Sequence, residues 1–159
     1  RRKEQVMHRI PVIEIMQTSV ITIHPEAAVT DAAQLMEDLH IRRLPVLDEN
    51  ECLVGIVTDT DVLEAETAHS VLSTYERGVE EQWLTVADIM TREVVTIPSD
   101  AVLGELALQF MQHKIGGLPV VEEDETHCNR QRVVGIVTET DIFRLIADAW
   151  AAEGGQKEL

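Results

Sequence analysis

Two stretches of the chain are apolar at almost every position: Leu53-Val54-Gly55-Ile56-Val57 and Val133-Val134-Gly135-Ile136-Val137. Short β-branched runs of this kind predict strands, apolar on both faces as a central strand is. Each run passes directly into Thr-x-x-Asp, at Thr58 to Asp61 and at Thr138 to Asp141, where the pattern predicts a helix start. Upstream of the first run, Leu44 to Leu47 predicts another strand and Asp48-Glu49-Asn50-Glu51 a polar turn. Val29, Ala32, Ala33, Met36 and Leu39 recur at helical spacing, which predicts a helix from about Thr30 to His40 with one buried face. Val20 to Ile23 predicts a short strand closed by Pro25. The unit therefore reads β-α-β-β-α. In the second half, Leu103, Leu106, Ala107, Phe110 and Met111 form a cleaner helical stripe, with the Phe and Met expected in the core.

The two halves align beyond these runs. Ile15-Met16 matches Ile89-Met90, and Val20-Ile21-Thr22-Ile23 matches Val94-Val95-Thr96-Ile97. Ile41-Arg42-Arg43-Leu44-Pro45-Val46 matches Ile115-Gly116-Gly117-Leu118-Pro119-Val120. Apart from a small shift near Pro25 and Pro98, the second copy differs in length only in the polar stretch Glu122 to Arg132, where a surface loop tolerates extra residues. A tandem repeat follows. A copy of about 60 residues has a marginal core on its own, so the copies are expected to pack together. The expected division is repeat 1 at 12–66, a helical linker at 67–85 and repeat 2 at 86–149. Residues 1–11 and 150–159 are terminal extensions, the last of them frayed.

Composition narrows the function. Aromatic residues make up only 3% of the chain, so the core is aliphatic. The net charge of −16 argues against non-specific nucleic-acid binding, which requires cations on phosphates. Arg1 to Arg9 is not followed by the apolar run of a signal peptide, and no run approaches the ~20 apolar residues that span a bilayer. Cys52 and Cys128 stand alone in loops, without metal-ligand spacing and too few for a disulfide framework. A cytoplasmic protein without membrane contact is expected. His8, His24, His40, His69, His113 and His127 share no ligand spacing. His40 and His113 fall at similar points after the first helix of each copy, as polar helix ends do. No nucleophile–base arrangement or Walker-type loop is present, so nothing looks catalytic.

Thr-x-x-Asp at a strand-to-helix junction has a structural reading, the capping box, in which the acid reaches back to the backbone of the cap residue. It also has a functional one. A helix N-terminus suits a phosphate, and a carboxylate one turn in can accept two hydrogen bonds from a ribose diol. Arg42 and Arg43 could supply the cationic charge for that phosphate. The second copy has Gly116 and Gly117 there, which predicts two unequal sites.

The doubled pattern Ile-Met, Val-x-Thr-Ile, Ile-Arg-Arg-Leu-Pro-Val and Gly-Ile-Val-Thr-x-x-Asp resembles the CBS domain, named after cystathionine β-synthase. A tandem pair is a Bateman module. The resemblance covers roughly residues 12 to 147 and is nearest to stand-alone, acetoin-utilisation-type CBS proteins. It implies an α/β (α+β) fold in which two β-α-β-β-α repeats pack about a pseudo-twofold axis, with adenosine ligands in the clefts between them. On that resemblance Asp61 and Asp141 hold ribose and Thr58 and Thr138 contact phosphate. Val20 to Thr22 and Val94 to Thr96 flank adenine, and Arg42 or Arg43 meets phosphate. Pro45, Gly116 and Pro119 of the matched runs belong to the same ligand-binding set. No cofactor is required. The implied ligands are AMP, ADP or ATP, with S-adenosylmethionine or NAD in second place, and the implied partners are a second module in a homodimer and an unidentified protein. The alternative is an interaction scaffold in which Thr-x-x-Asp only caps helices. An enzyme ranks last.

Overall fold

The computed structural model of the protein describes residues 5–75, 84–125 and 130–155. Short 3-10 helices at Met7–Arg9 and Val12–Glu14 precede α1 (Val29–Leu39), β1 (Arg43–Leu47), β2 (Leu53–Thr58) and α2 (Asp59–Tyr75). There follow α3 (Val86–Ile89), β3 (Ile97–Pro98), α4 (Leu103–His113), β4 (Gly117–Asp124), β5 (Arg130–Thr138) and α5 (Glu139–Ala152). The chain is thus mixed α+β, with β1 and β2 antiparallel and β3-β4-β5 in a second small sheet. Residues 76–83 of the expected linker, Gly78 among them, lie outside the described residues, as do Cys128 and His127. Among the described residues no helix is long and apolar enough to cross a membrane.

Two compact units emerge, and they do not follow the sequence repeats. One comprises Arg1–Val20, Val95–Glu122 and Val133–Leu159; the other comprises Ile21–Val94 and Glu123–Arg132. The leading segment of each repeat has left its own copy and docks on the body of the other. In the first unit Val12 donates its N–H to the carbonyl of Ala101 (2.9 Å) and Leu103 donates to that of Ile10 (2.8 Å). In the second unit Val29 donates to Leu84 (3.0 Å) and Val86 to Ala27 (2.8 Å). Val12 and Val86 are both fully buried, so these segments complete the two cores. The first core gathers Val12, Leu106, Leu118, Val120 and Val137, and the second Ala32, Leu44, Val46, Val57 and Val86.

Glycine makes this docking possible. Gly55 lies under Met90 and Gly135 under Met16, and a Cβ at either glycine would collide with the thioether. The recurrence of Ile-Met at the start of each copy and of Gly in each apolar run is one feature seen from two places. Each Met covers the strand of the other repeat.

Several sequence expectations need correction. Val20 to Ile23 forms no strand. Ile23 makes a single parallel bridge to Val46, and its counterpart β3 spans two residues. Pro25 and Pro98 have no N–H to extend the pairing, and turns begin at once. β2 is not buried on both faces: Leu53, Gly55 and Val57 are buried, while Val54, Ile56 and Thr58 are partly exposed. Met111 is not core but 79% exposed, and Leu39 and Ala107 also face out. The stripes narrow to Val29, Ala32 and Met36 on α1 and to Leu103, Leu106 and Phe110 on α4, because a short helix on a small sheet buries only its central face.

The counterpart of His40 is Lys114 rather than His113. Both close their helices in the left-handed region, at φ 53 in each case. The extra residues of the second copy are not merely a loop, since they lengthen the β4–β5 hairpin relative to β1–β2. The outer part of that hairpin belongs to the second unit, where Arg132 bridges Cys52. Nor does Cys52 stand alone, because it is disulfide-bonded.

Candidate functional site

Both Thr-x-x-Asp motifs fall where a strand enters a helix. In the second unit Thr58 ends β2 and donates its backbone N–H to Asp61 Oδ2 (2.9 Å). Asp61 returns its own N–H to Thr58 Oγ1 (3.2 Å). The capping box is complete, so the structural reading of this motif holds. The same turn gathers other residues. Asp59 at the start of α2 donates its N–H to the carbonyl of Arg42 (2.9 Å), and Arg43 is the cross-strand partner of Thr58. Ile23 runs beside β1, donating to the carbonyl of Pro45 (3.1 Å) and accepting from Leu47 (3.0 Å). Thr22, Arg42, Arg43, Pro45, Thr58 and Asp61 are therefore brought into one neighbourhood. Arg42 is exposed and Arg43 half-buried, both at the positive end of α2.

The first unit repeats the frame with other side chains. Glu139 at the start of α5 donates its N–H to the carbonyl of Gly116 (2.9 Å). Thr138 donates both its backbone N–H (2.8 Å) and its hydroxyl (3.3 Å) to Asp141 Oδ2. Ile97 pairs with Val120, which brings Thr96 toward Gly116, Pro119 and Thr138. Pro45 and Pro119 are fully buried in their strands. Val20 and Val94 fall just short of the crossings between units, so each is grouped with the unit opposite to Thr22 and Thr96 respectively.

Two side chains that the sequence reading did not single out act at the second motif. Gln17 donates from Nε2 to Asp141 Oδ1 (2.9 Å), and Arg144 places Nη1 3.4 Å from the same oxygen. The Arg144 contact is an i,i+3 pair and was available from spacing alone. The Gln17 contact spans 124 positions and had no local signal. Among the described residues no group of His, Cys, Asp and Glu could hold a metal ion.

Comparison with known proteins agrees with this frame. The family model described as CBS domain matches twice, over residues 12–68 and 86–148. The chain belongs to the CBS-domain family. A CBS-domain pair crystallised with 5′-methylthioadenosine and S-adenosyl-L-methionine superposes with a TM-score of 0.71 at 31% identity, covering 89% of this chain and 98% of that one. A Vibrio cholerae protein assigned to acetoin utilization (AcuB) gives 0.72 at 29% identity, over 94% and 99%. CBSX2 in complex with AMP gives 0.71 at 26% identity, over 88% and 98%.

Among curated proteins, the L-aspartate semialdehyde sulfurtransferase of Methanocaldococcus jannaschii is 33% identical over 132 residues, which are 83% of this chain but 22% of that protein. The inosine-5′-monophosphate dehydrogenase of the same organism is 31% identical over 146 residues, 89% of this chain and 25% of the enzyme. The CBS pair thus spans about a quarter of these relatives.

Proposed function

We propose that the CBS pair is a non-catalytic regulatory module that binds an adenosine-type ligand at a Thr-x-x-Asp turn and passes the signal to a protein partner. One observation carries this reading. Asp61 commits only Oδ2 to its cap, and Oδ1 has no partner among the described residues. That oxygen lies one turn inside a helix N-terminus, with Arg43 on the adjoining strand and Arg42 just before it. A carboxylate oxygen suited to ribose hydroxyls beside a cationic end suited to phosphate is the chemistry of a nucleotide. AMP, ADP or ATP fits it, with S-adenosylmethionine and NAD in second place. The structural relatives crystallised with AMP and with S-adenosyl-L-methionine support the class. No cofactor is required by this reading, and the module is taken to act as a homodimer.

A second reading has an observation in its favour: in both motifs the acid reaches back to the backbone N–H of its own threonine, as a helix cap does. On that reading the chain is an interaction scaffold. Thermal unfolding with AMP, ADP, ATP, NAD and S-adenosylmethionine separates the two. A ligand at a hundred times its Kd adds ~2.7 kcal/mol, and each kcal/mol raises the midpoint of a body this size by roughly 2–4 °C. Asp61→Ala is expected to lose about 1 kcal/mol from the lost cap and to abolish the ligand-induced rise. A flat response across the panel leaves the scaffold.

A further inference from the structure

Resting on the adenosine reading, the structure assigns unequal roles to the two CBS repeats. Asp61 is the ribose-binding carboxylate, while Asp141 is already occupied by Gln17 and Arg144, which stand in for a ligand inside the chain.

Asp141 is the one polar side chain buried among the described residues, at 5% exposure. A buried carboxylate is tolerated only when its lone pairs are met, and here they are. Oδ2 accepts the N–H and hydroxyl of Thr138; Oδ1 accepts the Gln17 amide and the Arg144 guanidinium. A carboxylate has about four lone-pair sites, so no acceptor is left for a ribose diol.

Gln17 is not a loosely draped side chain. Its backbone exchanges both hydrogen bonds with Ile136, at 2.8 and 2.9 Å, which fixes where the amide can reach. Displacing it means breaking a 2.9 Å hydrogen bond to a buried carboxyl oxygen and leaving that oxygen short of a donor.

The first repeat lacks both substitutes. Thr91 makes the same backbone exchange with Ile56 that Gln17 makes with Ile136, but its side chain is shorter. The place of Arg144, three residues past the motif's Asp, is taken by Glu64. The hydroxyls differ in the same sense. Thr58 Oγ1 accepts from Asp61 and keeps its proton to donate, whereas Thr138 donates to Asp141. Arg42-Arg43 against Gly116-Gly117 completes the set. Each difference favours a ligand at Asp61 and disfavours one at Asp141.

Isothermal titration of the whole chain with AMP, and separately with S-adenosylmethionine, tests this. One equivalent is expected, lost in Asp61→Asn and kept in Asp141→Asn. The double variant Gln17→Thr with Arg144→Glu copies the first repeat at those two positions, with Gly116-Gly117 unchanged, and is expected to bind a second equivalent more weakly than the first. As a second measurement, the side-chain NH2 resonances of Gln17 in the wild-type protein are expected to stay in place at saturation. Two equivalents in the wild type, or one that survives Asp61→Asn, overturns the assignment while leaving the adenosine reading intact. A folded double variant that still binds one overturns it too. Should that variant fail to fold, the Gln17 resonances decide, and their displacement by ligand counts against the assignment. No heat with either compound defeats the adenosine reading and this assignment together.

Discussion

Acids three residues past a threonine recur at three helix starts: Thr58 and Asp61, Thr85 and Asp88, Thr138 and Asp141. Only their surroundings tell them apart. Asp88 is exposed, and the backbone N–H of Thr85 (2.8 Å) and then its hydroxyl (3.0 Å) hold its carboxyl below the ordinary aspartate value. Hydrogen bonds to the charged form do this. A depressed folded value means the stabilisation is fully present above the unfolded pKa and is lost as pH falls through the folded one. Following the Asp88 carboxyl carbon by NMR should give a midpoint below that of an unstructured peptide. Since the backbone bond is the larger cause, Thr85→Ala should return the midpoint only part of the way. A full return would mean the hydroxyl dominates. The motifs at Thr58 and Thr138 were legible in the sequence beside their apolar runs; the one at Thr85, which caps a four-residue helix, was not picked out. That Asp141 is saturated and Asp61 is not depends on Gln17, which is far away along the chain.

Among the elements, the leading segments are the least anticipated feature. Their apolar character was visible in Ile15-Met16 and Ile89-Met90, but not that each crosses to the other repeat, because nothing local encodes the partner of an isolated bridge. Gly55 and Gly135 mark the crossing points. A methyl group at Gly55 would meet the Met90 side chain, with the carbonyl of Thr91 at 3.1 Å behind it. The methionine can give way; the carbonyl cannot without breaking the Ile56–Thr91 pair. Gly55→Ala is therefore expected to destabilise the chain by about 1–3 kcal/mol, as overpacking does. In urea titrations, Met90→Ala should cost less in the Gly55→Ala background than in the wild type. Additive losses would show that the two residues do not share the space. The hairpin insertion follows the same logic: its polarity suggested a loop, but pairing across β4 and β5 turned it into longer strands.

On the scale of the whole molecule, the outer face of α5 bears on assembly. Phe143, Ile146 and Trp150, at i, i+3 and i+7, are 64%, 45% and 61% exposed. The aligned positions of the first repeat are Leu63, Glu66 and Ser70, so the apolar stripe belongs to one repeat alone. A contiguous exposed stripe of large apolar residues is characteristic of an interaction surface, and the homodimer proposed above is expected to use it. Sedimentation velocity is expected to show a dimer for the wild type and a monomer for Phe143→Asp with Ile146→Asp. A monomeric wild type at tens of micromolar would remove α5 as a self-association surface.

The sequence by itself determined the repeat, the α-β-β-α order that follows the leading segment of each copy, and the family. Those rest on periodicity, on apolar runs and on residues close together along the chain. It also carried Thr-x-x-Asp with its two meanings, capping and ligand binding, since both use the same atoms. Tertiary structure decided which repeat each leading segment completes, how few residues of a helical stripe are buried, and which aspartate keeps a free oxygen. Each of those depends on which side chain arrives from a distant part of the chain to fill a given space or lone pair, and local pattern carries no record of that.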